Sequence, residues 1–222
     1  MMISAMRRQW HGPAGRMLRR WGARLWLLAM LALVGWQLGG IGWRTLWDAL
    51  PHQPAFYLLF TLRYLAIPVS DMLIYQFLWG IGLWRHLDVF LQKRALNFGV
   101  LGYAGEAYFV CWATGGLARP VRAVAMAVKD VNILSAMVSN LFTLLCLALM
   151  TGAGGLAFDR LVAWVGTGSL LALAGVCVSA TLLPWCLRRH FLVLTRAQCG
   201  HVLFQHAVRL VVVSVLQILQ WA

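Results

Sequence analysis

The chain has 222 residues, of which 62% are apolar and 11% are charged, against roughly 45–50% and 25% in soluble domains. A soluble fold of this size cannot bury so much apolar surface, so the composition excludes a globular soluble domain, a disordered chain and a disulfide scaffold. It predicts an integral membrane protein. The excess of 19 basic over 6 acidic residues fits the enrichment of cytoplasmic loops in basic residues. Since no nucleic-acid-binding motif is present, we expect no nucleic-acid partner.

The first 24 residues form a basic tail with six arginines and no acidic residue. The apolar run that follows, Leu25–Gly42, is too long for a signal-peptide core, and no small-residue cleavage site follows it. We therefore expect a retained anchor in an inner (plasma) membrane, with the N-terminus in the cytoplasm. Residues 25–222 are predicted to form a single transmembrane domain, and because its last apolar run stops at Ala222 without a polar tail, a C-terminal part is expected to be missing.

Six apolar runs divide the chain, and a spanning helix needs about 20 residues. If every run spans, two basic stretches, 118–130 and 188–200, fall outside the cell. The runs are Leu25–Gly42, Ala55–Leu83, Ala95–Leu117, Val131–Met150, Leu161–Leu187 and His201–Trp221.

A re-entrant segment resolves this conflict. If Ala95–Leu117 enters the membrane and returns on the same side, then 84–94, 118–130 and 188–200 are all cytoplasmic, and the poorly basic 43–54 and 151–160 are outside. The positive-inside rule favours this arrangement. The predicted fold is therefore an all-α, polytopic membrane helical bundle with about five spanning helices and one re-entrant segment.

Glycines support the re-entrant interpretation, because Gly99, Gly102 and Gly105 recur at three-residue intervals in this run. Glycine weakens a helix interior by about 1 kcal/mol relative to alanine, and broken helices are tolerated at membrane depth where protein or water covers them. The alternative is that these glycines only allow helices to pack closely.

Glu106 is the main candidate for function, since an acidic residue at the centre of a membrane helix costs about 2.5–3.5 kcal/mol. It either handles a proton or a lipid headgroup, or forms a structural ion pair with Arg122, Lys129 or Arg63. We predict a polar pocket with a basic partner from the next helix, Lys129 or Arg122. Arg63 and Asp71 flank Pro68 and are expected either to form a pair satisfied by packing or to snorkel near an interface.

The next helix begins amphipathically, with Arg122 and Lys129 on one face. Asn132, Ser135 and Ser139 follow at helical spacing as a polar stripe, which either lines a headgroup path or makes interhelical hydrogen bonds. The predicted headgroup-binding set is therefore Glu106, Lys129, Asp130, Arg122 and Asn132. No nucleophile motif or metal-binding spacing is visible, so we expect neither a catalytic residue nor a metal or other cofactor.

A family pattern covers about half of the chain. From Trp26 to Met150, an N-terminal anchor, a Trp-bearing segment and a long second helix precede the run Gly-Tyr-Ala-Gly-Glu, which leads into a helix with a central aspartate, Asp130. This order resembles the lysylphosphatidylglycerol synthase transmembrane family of flippase-like proteins. The arginines that the family places shortly after Gly-Glu and directly after the central aspartate are absent here.

The resemblance implies a protein that handles or translocates a lipid with a charged headgroup, without synthase activity. The alternative is a non-transporting scaffold subunit of an envelope lipid or glycan pathway. A translocase is expected to gather Glu106, Lys129 and Asp130 around a polar cavity, and a scaffold to have a packed interior with paired charges. Expected partners are membrane lipids, anionic or glycosylated, and a second copy of the chain or an envelope-biosynthesis protein.

Overall fold

The computed structural model describes the backbone of residues 13–99, 102–152 and 156–221, and the side chains of residues 21, 25, 28, 29, 31–45, 47–99, 102–151, 159, 160 and 162–221. Every regular element within these ranges is helical, which confirms the predicted all-α membrane bundle. The chain divides into two compact units, Met1–Gln53 and Pro54–Ala222. The domain boundary predicted at residue 24 was based on the charge of the N-terminal tail, whereas the division after Gln53 follows from contacts between residues.

The first unit contains helix α1, Pro13–Ile41, and the short helix α2, Trp43–Asp48. Gly42 separates them with a φ of 90°, a backbone conformation that favours glycine because it has no Cβ. The predicted anchor lies within α1, and the helix also includes residues 13–24 of the predicted basic tail. Residues 1–12 of that tail lie outside the described part of the chain.

The second unit contains the remaining helices, four of which are long and apolar enough to cross a membrane: α3, α6, α8 and α10. The elements in order are α3 (Pro54–Trp79), a 3-10 turn (Trp84–His86), α4 (Leu87–Gly99), α5 (Ala104–Gly116), α6 (Val121–Gly152), α7 (Leu156–Val165), α8 (Thr167–Cys186), α9 (Arg188–Phe191) and α10 (Arg196–Trp221).

The run Leu161–Leu187 was predicted as one apolar segment, and this is corrected by the structure. Gly166, at a φ of 85°, separates α7 from α8. Apolar composition continues through this glycine, and only its left-handed backbone conformation breaks the helix. The spanning helix of this region is therefore α8 alone, with 20 residues.

Helices α4 and α5 form a hairpin that is too short to cross a membrane. Each has 13 residues, which corresponds to about 20 Å at 1.5 Å per residue, whereas the hydrocarbon core is about 30 Å thick. This agrees with the predicted re-entrant segment, but its first arm begins at Leu87 rather than at Ala95. The stretch 84–94, predicted as a loop, is helical from Leu87, and its polar side chain Lys93 is buried within the bundle.

Two contacts bring the basic connections of this unit to one end of the bundle. The Arg119 side chain donates a hydrogen bond of 3.0 Å to the carbonyl of Trp79, at the end of α3. The Lys129 ammonium donates to the carbonyl of Phe191, in the connection between α8 and α10. The stretches 118–130 and 188–200 therefore lie at the same end as the start of the hairpin, as the re-entrant arrangement requires.

Close contact between the arms of the hairpin depends on Gly105. A Cβ at this position would lie 1.9 Å from the carbonyl oxygen of Lys93, whereas Gly99 and Gly102 have no such neighbour within 4 Å. Of the three evenly spaced glycines, Gly105 is thus the one that the close approach of the helices requires. The aromatic rings of Tyr75, Phe90 and Phe109 pack beside it between α3, α4 and α5.

We expect Gly105→Ala to lower the free energy of unfolding by at least about 1–3 kcal/mol, the usual cost of overpacking. The obstacle here is the backbone of Lys93, which cannot move away as a flexible side chain would. Unfolding of the purified protein in mixed detergent micelles, followed by circular dichroism, measures the effect. Gly99→Ala is the matched control, and an equal loss in both variants would contradict the assigned close approach.

A candidate intramembrane charged site

Asp71 on α3 is the centre of a buried ion network. Its Oδ2 atom lies 2.6 Å from the Lys93 Nζ of α4, and its Oδ1 atom lies 2.9 Å from the Arg209 Nη1 of α10. The three side chains are 13%, 5% and 14% exposed. Charges removed from water must be compensated locally, and two cations around one carboxylate provide this compensation.

Arg209 extends the network to a fourth helix. Its Nη2 atom donates a hydrogen bond of 2.9 Å to the Oγ of Ser135 on α6. Ser135 belongs to the polar stripe predicted on that helix, and its role here is the interhelical hydrogen bond that was one of the two alternatives. The network therefore joins α3, α4, α6 and α10.

Glu106 lies at the start of α5 and joins the same network. Its Oε1 atom is 3.7 Å from the Lys93 Nζ and accepts a hydrogen bond of 3.1 Å from the Asn97 amide. Its Oε2 atom is buried without a hydrogen-bond partner among the side chains and backbone that the structure describes. The Oδ1 atom of Asn97 accepts from the Gly105 amide at 2.7 Å, which satisfies a free donor in the first turn of α5.

The prediction that Glu106 pairs with Lys129 or Arg122 was wrong. Because α5 folds back on α4, the basic partner comes from the preceding helix, and it is Lys93. The expected pairing of Asp71 with Arg63 was also wrong, since Arg63 instead donates a hydrogen bond of 3.1 Å to Gln220.

Lys129 and Asp130 form a separate cluster at the basic end. The fully buried Asp130 carboxylate accepts hydrogen bonds from the Val193 amide at 2.6 Å and the Leu194 amide at 3.0 Å. Its other oxygen lies 3.1 Å from the Lys129 Nζ. Asp130 thereby attaches the connection before α10 to α6.

The predicted headgroup set is thus divided between two places. Glu106 belongs to the Asp71 network, whereas Lys129 and Asp130 belong to the cluster at the basic end. Arg122 is exposed and lines a surface groove with Val193, and Asn132 is half-buried on α6. Headgroup binding by these five residues stays a prediction.

Three residues of the network were missed as site residues by the sequence analysis: Asp71, Lys93 and Arg209. Arg209 offered a usable signal, because it is an isolated arginine within the apolar run His201–Trp221. Such a charge at membrane depth normally faces a partner, and Asp71 is an acidic residue in another such run. Lys93 gave no comparable signal, since it stands beside Arg94 in a stretch that reads as a polar loop.

The fold and these contacts define the class: an all-α membrane protein with a hairpin that does not span and a buried charged network around it. The chain matches no protein-family model, no curated protein and no solved structure. The resemblance to flippase-like proteins therefore contributes only to a proposal of function.

We expect Asp71→Asn to lower the free energy of unfolding by about 3–5 kcal/mol, because it leaves Lys93 and Arg209 buried with an excess of positive charge. Thermal denaturation in maltoside micelles measures the loss. Asp88→Asn is the control, since Asp88 is exposed at the start of the same hairpin and such changes usually alter stability by less than about 0.5 kcal/mol. Equal stability of both variants would show that the network does not support the bundle.

Proposed function

We propose that the protein handles a lipid with a charged headgroup and moves it between the leaflets of an inner membrane. The observation that carries this proposal is the placement of two carboxylates and two cations, Asp71, Glu106, Lys93 and Arg209, around a hairpin whose helices are too short to span a membrane. Charged groups within a membrane are expensive and usually mark a polar path. Non-spanning helices at this depth occur where protein or a water-filled cavity covers them.

The unsatisfied carboxylate oxygen of Glu106 supports the proposal further. Oε2 is buried without a hydrogen bond to any described group, and a buried acceptor of this kind is costly unless a ligand or water satisfies it. An ammonium or hydroxyl group of a lipid headgroup has the required donor. Glu106 therefore contacts the headgroup in this proposal, while Asp71 and Arg209 hold the helices around it.

A non-transporting scaffold is the second candidate, and the pairing of the charges favours it. Asp71 has two cationic partners, Asp130 accepts two backbone hydrogen bonds on one oxygen and pairs with Lys129 through the other, and Glu106 is not gathered with Lys129. A scaffold needs these ion pairs only for helix packing. The two candidates differ in whether the charge of Glu106 matters once the protein has folded.

Glu106→Gln tests this difference, because glutamine retains the shape of the side chain and its contact with Asn97 but removes the charge. We expect the variant to fold and to translocate labelled lipid in reconstituted vesicles at least about tenfold more slowly, as removal of a charged hydrogen bond implies. Asp88→Asn is the control, with wild-type rates expected. Full activity of Glu106→Gln and Glu106→Ala would exclude Glu106 from the mechanism.

The proposal places the basic end of the second unit in the cytoplasm, in accordance with the positive-inside rule. We expect single cysteines near Arg119 and Arg189, introduced into a cysteine-free background, to react with a membrane-impermeant reagent only after the cells are opened. A cysteine at residue 52 is expected to react in intact cells. Strong labelling near Arg119 from outside would reverse this orientation.

A further inference from the structure

Arg94 on α4 follows Lys93 directly but lies outside the ion network. Its guanidinium carbon is 4.5 Å from the centre of the Tyr64 ring and 5.5 Å from that of the Phe98 ring. Its Nε and Nη1 atoms are buried and have no hydrogen-bond partner among the described residues. The two rings stabilise the cation through its attraction to aromatic faces, but they leave these two donors unsatisfied.

Arg63 adds a second cation beside Arg94. Its hydrogen bond goes to the neutral amide of Gln220, and it directly precedes Tyr64, whose ring packs against the Arg94 guanidinium. The Asp71 carboxylate is already bound by Lys93 and Arg209. No carboxylate among the described side chains forms an ion pair with Arg63 or Arg94.

Arg63 lies away from the ends of α3. Arg63 is nine residues after Pro54, which places it about 14 Å along a helix of about 39 Å. Arginine at such a depth is costly unless it reaches a partner or water. Two neighbouring arginines without an acidic partner have a greater need for a compensating negative charge. Among the described side chains, none therefore supplies Arg63 or Arg94 with an anionic partner of its own.

We propose that Arg63 and Arg94 form a phosphate-binding site within the membrane. The guanidinium group is the preferred protein group for phosphate, because it presents several donors in one plane. The exposed rings of Phe98 and Tyr64 flank the site with an apolar surface suited to the rest of a lipid molecule. This inference rests on the proposed function: the site holds the phosphate of the translocated headgroup partway across.

Lipid binding to the purified full chain tests the site without any transport step. The protein in maltoside micelles, which contain no phosphate, is titrated with phosphatidylglycerol, with diacylglycerol and with inorganic phosphate, and bound species are counted by native mass spectrometry. We expect phosphatidylglycerol to bind at least about tenfold more tightly than diacylglycerol. Arg94→Gln and Arg63→Gln are each expected to remove about tenfold of that affinity, as loss of a charged hydrogen bond predicts.

Arg85→Gln is the matched control, because Arg85 is an exposed arginine in the 3-10 turn before α4. It is expected to bind phosphatidylglycerol as the wild type does. If Arg94→Gln fails to fold by size-exclusion profile and thermal denaturation, Arg94→Lys and Arg63→Gln provide the test, since lysine retains the charge but not the planar donors.

The titrations with phosphatidylglycerol and with inorganic phosphate distinguish a lipid headgroup from free phosphate as the ligand. If inorganic phosphate displaces phosphatidylglycerol and binds with the same affinity, the site exists and its ligand is free phosphate. If inorganic phosphate does not displace the lipid, the ligand is the phosphate of the lipid headgroup. Unchanged lipid affinity in both Arg63→Gln and Arg94→Gln would overturn the site, even if translocation persists. Retained binding in a wild-type protein that does not translocate would instead overturn only the proposed function.

Discussion

The second unit of this protein depends on the need to neutralise the Asp71 carboxylate away from water. A single ionised carboxylate in an apolar medium would be costly, and its charge is matched by cations from two other helices, Lys93 on α4 and Arg209 on α10. Glu106 on α5 supplies the second negative charge, and Arg209 also reaches Ser135 on α6, so that one balanced set of charges fixes how five helices meet. Apolar side chains alone provide little such order in lipid, because the lipid tails are as apolar as the helix surfaces.

The hairpin satisfies a second constraint, namely that backbone donors and acceptors at membrane depth must be paired. The chain reverses between α4 and α5, and the free donor at Gly105 is satisfied by the Asn97 side chain. Tyr103, just before α5, adopts a left-handed φ of 69°, which an L-residue adopts only at some cost. The close approach at Gly105 and the aromatic packing of Phe90 on Phe109 hold the two arms together despite that cost.

The fold class followed from the sequence because composition and apolar run length are direct consequences of the lipid environment. The distribution of basic residues, likewise a property of the whole chain, predicted that residues 95–117 do not span, and the two 13-residue helices found there agree with this. The partner of Glu106 did not follow, because it depends on the packing of two short helices that the sequence reads as a loop and a single run. Lys93 is the clearest example, because the sequence does not distinguish a buried lysine from a lysine in a loop. The difference is visible only when the structure places a carboxylate from another helix beside it.

The length of α6 has a consequence for its position in the bilayer. Its 32 residues correspond to about 48 Å, which exceeds a hydrocarbon core of about 30 Å. The part after Asp130, Val131–Gly152, is about 33 Å long by the same rise and matches that thickness nearly upright. The first turns of α6, up to Asp130, are therefore in excess of that thickness, and Asp130 fastens the connection before α10 to them. Arg122 and Lys129 both lie in this excess length, where basic side chains can reach lipid phosphates.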